Sequence, residues 1–192
     1  RRQRQMCIRD RREWALFSKF LVNLKQRLMQ DGRILAVALA DWGVHLSPEA
    51  VRAIDQLSYM AYDINDINGY HASFGRAAVR AVEYAEKCGF RREQINLGLP
   101  YYGRPTYKGE YWPLWKDAQV GYWQNYAPQI TFDGIEMDAY YNCPGMVADK
   151  TAFALQMGLG GVMIFPLNAD RPHGNPLCLT DAIRRTIEER VE

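Results

Sequence analysis

Apolar residues recur at intervals of three and four from Trp14 through Phe17, Leu21, Leu24 and Leu28, which predicts one stripe of an amphipathic helix over residues 14–30. Gly32 supplies its stop. The next apolar run, "ILAVALA" at 34–40, is continuous and of strand length, a pattern that suits a parallel strand covered on both faces. Pro48 opens a short helix to Ile54. "LSYMAYD" at 57–63 reads as a second strand that closes on polar groups. Ser73 is placed to cap a helix running to Cys88, with Ala78, Val82 and Ala85 inward and Gly89 as its stop. "INLGLP" at 95–100 and "GVMIFPL" at 161–167 supply a third and fourth strand. Helices are predicted at 144–158 and 180–191, the latter striped by Ile183, Ile187 and Val191.

Strand and helix alternate throughout, which predicts right-handed βα crossovers and a parallel sheet. Four such units are half of an eight-stranded TIM (β/α)8 barrel. Residues 101–142 form too long a connection for an ordinary βα loop, so a functional or partly structured excursion is expected there. The pattern calls for no second domain.

Composition narrows the function. A chain of 192 residues that is 48% hydrophobic and 12% aromatic fits a globular class with a real core. The formal charge of +2 is misleading, because residues 1–12 hold six Arg and one Asp and carry +5, which leaves −3 for the remainder. Nucleic-acid binding needs a clustered basic face, and the terminal run is the one cluster, so no nucleic-acid partner is expected. That run has no apolar region and reads as a non-native or disordered basic segment, with residues 13–192 as the folded part; no membrane span is expected. Cys7, Cys88, Cys143 and Cys178 form no C-x-x-C pair, and His45, His71 and His173 are scattered. No metal, cofactor or disulfide framework is called for.

Three strand ends carry the chemistry. "YMAYD" at the second strand, "LGLPYYGR" at the third and "GLGGVMIFPLNAD" at the fourth resemble, in order and spacing, the sixth, seventh and eighth barrel strands of glycoside hydrolase family 18, the chitinase-like enzymes. The resemblance runs from about residue 13 to the C-terminus and implies the C-terminal half of a catalytic barrel. It implies substrate-assisted retaining hydrolysis of β-1,4 bonds in N-acetylglucosamine polymers, chitin or peptidoglycan, in which the substrate's 2-acetamido oxygen attacks the anomeric carbon. Under that resemblance Tyr62 donates to the acetamido oxygen, Asp63 hydrogen-bonds the sugar and Met60 packs below the acetamido methyl. Tyr102 and Arg104 contact the sugar on the leaving side, and Trp42 either stacks on a distal sugar or packs in the core or at the rim. The family usually presents Trp as the floor of the cleavage subsite where this chain has Phe165, which has less stacking area and no N–H donor.

"FDGIEMDAY" at 132–140 nearly reproduces the family's acidic strand, with Asp133, Gly134, Glu136 and Asp138 in spacing but Tyr140 where the general-acid Glu belongs. Its order argues against catalysis. The family's acidic motif lies on the fourth strand, whereas this stretch follows the seventh, where a hairpin is expected. The acid Glu is therefore expected upstream of the chain, which alone would be inactive. Tyr107, Tyr111, Trp112, Trp115, Tyr122 and Trp123 crowd the excursion, either as a polysaccharide strip or as anchors. A non-catalytic chitin-binding lectin of the same fold is the alternative function. Extracellular or cell-wall action is expected because such polymers lie there.

Overall fold

The computed structural model describes residues 11–40, 44–106, 112–132 and 135–191. Helix α1 (Arg11–Gln30) buries Trp14, Ser18 and Leu21 on the stripe that the sequence predicts. Buried Ser18 joins it to the next helix: its Oγ donates to the Trp14 carbonyl at 2.8 Å and accepts from Ser47 N–H at 3.0 Å. Ser47 in turn caps α2 (Pro48–Ala53) by accepting from Ala50 N–H.

Between these helices runs β1 (Ala36–Ala40), and β2 (Gln56–Met60) and β3 (Ile95–Pro100) follow it. The helical segment between β2 and β3 opens with a π turn at Gly75–Val79 and continues as α3 (Arg80–Lys87). Ser73 does not cap it with its side chain. Its carbonyl takes Ala77 N–H, and its hydroxyl is engaged by the Asp66 carboxylate. After β3 the excursion folds as β4 (Arg104–Pro105), β5 (Tyr126–Phe132) and β6 (Ile135–Tyr140), an antiparallel sheet in the order β4-β6-β5. Then come α4 (Pro144–Gln156), β7 (Gly161–Phe165) and α5 (Leu179–Val191). Asp170 caps α5, accepting from the Leu179 and Thr180 amides.

The main sheet is parallel in the order β1-β2-β3-β7, the half-barrel that the alternation predicts. Its middle and its margins differ. Leu57, Tyr59, Ile95, Leu97 and Leu99 on β2 and β3 are buried, whereas Ala36 and Ala38 on β1 are exposed and β7 is half-buried. The sequence reading of "ILAVALA" as a strand covered on both faces therefore needs correction: β1 is two residues shorter and lies at the margin of the sheet, with Ile34 exposed before it. Each buried Leu or Ile contributes about 1.5–3 kcal/mol. The partly exposed Lys25–Asp55 pair at 2.6 Å contributes at most about 1 kcal/mol. Packing of β2 and β3 thus dominates the fixing of the strand ends.

Gly98 brings those ends together. A Cβ there would lie 2.4 Å from the Tyr59 carbonyl oxygen and 2.9 Å from the Tyr62 ring, so only glycine lets the chain leaving β2 fold across β3.

Candidate functional site

The site grows from the C-terminal ends of β2, β3 and β7. Beyond Met60 the chain bends, with Ala61 N–H donating to the Tyr59 carbonyl, and carries Tyr62 and Asp63 over the ends of the neighbouring strands. Tyr62 is buried, with its ring nearly parallel to that of Phe165 at 5.9 Å and edge-on to that of Tyr102 at 6.1 Å. Burial first, and then the adjacent Asp63 charge, push its phenol up to about 12. It stays a proton donor across the neutral range.

Asp63 is the hub. One carboxylate oxygen, Oδ1, accepts from the Tyr102 hydroxyl at 2.7 Å and from Arg104 Nε at 2.8 Å, and a terminal Arg104 nitrogen lies 2.6 Å away in the same ion pair. Oδ2 meets no donor among the described residues. Asp63 adopts a left-handed φ of 58°, a conformation that costs a non-glycine residue about 1–3 kcal/mol and persists only where its surroundings hold it. Its amide donates to His71 Nε2 at 2.9 Å. Because that nitrogen accepts a hydrogen bond and so carries no proton, the 3.6 Å approach of His71 to Asp63 Oδ1 joins a neutral ring to a carboxylate. Burial above all, with help from the Arg104 and Lys150 charges, holds His71 well below its ordinary value.

Tyr102 is buried and Arg104 mostly so, and the guanidinium lies 4.0 Å from the Trp112 ring centroid and 5.6 Å from that of Tyr102. The Tyr102 and Trp112 rings stack at 5.0 Å. Burial, followed by the Asp63 charge, raises the Tyr102 phenol well above its usual range, so it serves Asp63 as a donor. The end of β7 joins the same surface, where the Phe165 carbonyl accepts Tyr101 N–H at 2.8 Å and the Phe165 ring is 42% exposed. What the arrangement offers is an open aromatic face, a phenol donor and one free carboxylate oxygen beside a fixed guanidinium.

Of the residues singled out from the sequence, Tyr62, Asp63, Tyr102, Arg104 and Phe165 come together here. Met60 ends β2 and is partly buried against the main core. Trp42, Tyr107 and Tyr111 lie outside the described residues, as do residues 1–10 of the arginine-rich segment, Asp133 and Gly134. Among the remaining aromatics of the excursion Trp115 is an anchor, fully buried and donating to the Leu177 carbonyl at 2.7 Å, while Trp112 and Trp123 are exposed. "FDGIEMDAY" contributes to the β5–β6 hairpin, paired Thr131 to Glu136 and Phe132 to Ile135, and Glu136 is exposed. His71, Asn142 and Lys150 emerge only in three dimensions, since nothing in their spacing joins them. Among the described residues no cluster of three or more His, Cys, Asp or Glu could hold a metal ion, and no helix is long and apolar enough to cross a membrane.

A family model described as Glycosyl hydrolases family 18 matches residues 6–170. Among solved structures, a GH18 chitinase from the chitin utilization locus of Flavobacterium johnsoniae is 25% identical with a TM-score of 0.74, over 90% of this chain and 56% of its own. A chitinase from Bacteroides thetaiotaomicron is 19% identical with a TM-score of 0.71, over 92% and 60%. A chitinase-like agglutinin from Robinia pseudoacacia is 17% identical with a TM-score of 0.67, over 92% and 64%. The chain thus spans less than two thirds of each. A search of curated proteins gives no match.

Proposed function

The chain belongs to glycoside hydrolase family 18, and from that premise we propose that it forms the acetamido-binding half of a chitinase-type active site acting on N-acetylglucosamine polymers. The observation that carries the reading is the asymmetric use of Asp63: Tyr102 and Arg104 hold Oδ1, which leaves Oδ2 for a sugar hydroxyl or amide. Tyr62, kept protonated by burial, makes no hydrogen bond among the described residues and donates to the acetamido oxygen of a bound sugar.

In this reading the acetamido oxygen attacks the anomeric carbon as the bond to the leaving oxygen breaks. Tyr62 aligns that nucleophile, and Asp63 compensates the positive charge that builds on the resulting ring. Met60 packs beneath the acetamido methyl, Arg104 faces the leaving side with buried Tyr102 holding Asp63 beside it, and Phe165 is the floor. The proton for the leaving group comes from a Glu outside these 192 residues, so the chain alone turns nothing over. Action outside the cytoplasm follows from where such polymers lie.

The test is stereochemical. In a longer protein joining this chain to an acidic strand, proton NMR of the first hydrolysis product should show the β-anomer. An α-anomer at early times would rule out substrate assistance. Phe165 favours one second reading, a lectin of the same fold, because the exposed floor lacks the indole area and donor of Trp. Oligomer binding without any turnover in that longer protein would select it.

A further inference from the structure

Behind the strand-end residues lies a layer that the proposed chemistry does not use. Lys150 on α4 is wholly buried, yet no carboxylate pairs with it among the described residues. Its Nζ donates to the Ala72 carbonyl at 2.7 Å and to Asn142 Oδ1. Asn142 is also buried, and its Nδ2 donates to the same Ala72 carbonyl at 3.3 Å. A buried ammonium is tolerated only when its hydrogens are taken up, and here most of that demand is met by one backbone carbonyl and the amide that shares it.

Ala72 is no ordinary residue to hold. Its φ is 49°, and it stands at one end of a loop whose other end is Asp63 with φ 58°, two non-glycine residues in the left-handed region. The loop closes on itself through the Asn65–His71 bridge and through Ala72 N–H donating to the Ile64 carbonyl at 2.8 Å. Wholly buried His71 then reaches across to accept the Asp63 amide, with its ring 5.3 Å from that of Tyr102. Lys150 and Asn142 therefore hold the returning end of the loop, and His71 transmits the hold to the residue that faces Tyr102 and Arg104.

We propose that Lys150, Asn142 and His71 are positioning residues that lock loop 63–72, fixing the Asp63 carboxylate against Tyr102 and Arg104 before any sugar arrives. The consequence for binding rests on the reading of Asp63 as a sugar ligand; the locking itself does not. Removing the Lys150 amine leaves the Ala72 carbonyl with only the long Asn142 bond and leaves Asn142 Oδ1 without a donor, so the loop end is freed while the strands beneath are untouched. Burial lowers Lys150 to about 7, consistent with an amine retained for its hydrogen bonds and not for an ion pair.

Hydrogen exchange followed by mass spectrometry separates locking from general stability. In a protein containing this chain, Lys150→Met should speed amide exchange in segment 61–66 by at least about tenfold, with segment 95–100 on β3 unchanged. If Lys150→Met does not fold, Asn142→Ala removes one arm of the clamp and should loosen the same segment to a smaller degree. His71→Gln, whose side-chain oxygen can accept the Asp63 amide, should keep the protection that His71→Phe loses. Unchanged exchange at 61–66, or equal loosening of both segments, overturns the proposal. Affinity for an N-acetylglucosamine oligomer is measured in parallel, with Val147→Ala on the same helix as a control for lost stability. Weakening by the Lys150 variant beyond the control supports the link to binding. If the unsubstituted protein binds no oligomer, the sugar-binding reading fails, and the exchange data still decide the locking.

Discussion

Two acidic stretches of this molecule, "YMAYD" and "FDGIEMDAY", differ in what surrounds their carboxylates. Asp63 stands where the parallel strands end, takes two hydrogen bonds and an ion pair on one oxygen and has its amide held by a buried imidazole. Glu136 stands on a hairpin strand of the second sheet, exposed and opposite Thr131. The second stretch looks more like a catalytic motif in one dimension, and the first has the fixed geometry that chemistry demands. Spacing along a strand shows which side chains share a face; only the sheet shows whether that face meets anything.

The sharpest way to break this contrast is to remove the donor beside Asp63. In a complete enzyme containing the chain, Tyr62→Phe should lower kcat by roughly ten- to a thousandfold, and steady-state assay on a chitin oligomer reads it. Unchanged turnover would detach the strand end from the chemistry. The support behind Asp63 has a pH signature next in size. Burial lowers Lys150 from 10.5 to about 7 in the folded protein, so between those values the unfolded chain binds the extra proton and stability rises with pH. The contribution is present in full above the unfolded value and is lost as pH falls toward 7. Its slope is at most about 1.4 kcal/mol per pH unit. Urea unfolding of the native protein and of Lys150→Met across this range isolates the effect, because the buried cysteines and tyrosines are common to both. Equal slopes would show that Lys150 does not titrate there.

Phe165→Trp comes next. If Phe165 is the floor of the subsite, the larger ring should tighten oligomer binding by about 0.5–1.5 kcal/mol, and calorimetric titration that shows no gain would move the floor elsewhere. The smallest effect belongs to the hairpin: Glu136→Gln should change stability by no more than about 0.5 kcal/mol, as for an ordinary surface site, in thermal unfolding.

The contrast also explains what the sequence could tell. The four parallel strands are legible because each is a short apolar run punctuated by helices, and the candidate site because Tyr62, Asp63, Tyr102, Arg104 and Phe165 sit on motifs at the strand ends that the sheet brings together. The marginal position of β1 is not legible, since "ILAVALA" has the same apolar pattern whether one flank is paired or both are. His71 reads as an isolated histidine, and Lys150 as one more charge on a helix. Their partners, Asp63 and Ala72, lie 8 and 78 positions away, and the long link between α4 and the loop after β2 exists only once the sheet brings them together. Trp112 likewise reads as one aromatic in a crowd until Arg104 is found above its ring.

Under the proposed function, sugar is recognised at the ends of β2 and β3 and not on the β5–β6 hairpin. Calorimetric titration of an N-acetylglucosamine oligomer into the unsubstituted protein, Asp63→Ala and Glu136→Gln puts both places in one experiment. Loss of a charged hydrogen-bonding group should weaken binding to Asp63→Ala by at least about tenfold, with Glu136→Gln indistinguishable from the unsubstituted protein. Full affinity in Asp63→Ala together with loss in Glu136→Gln would contradict recognition at the strand ends and return it to the hairpin.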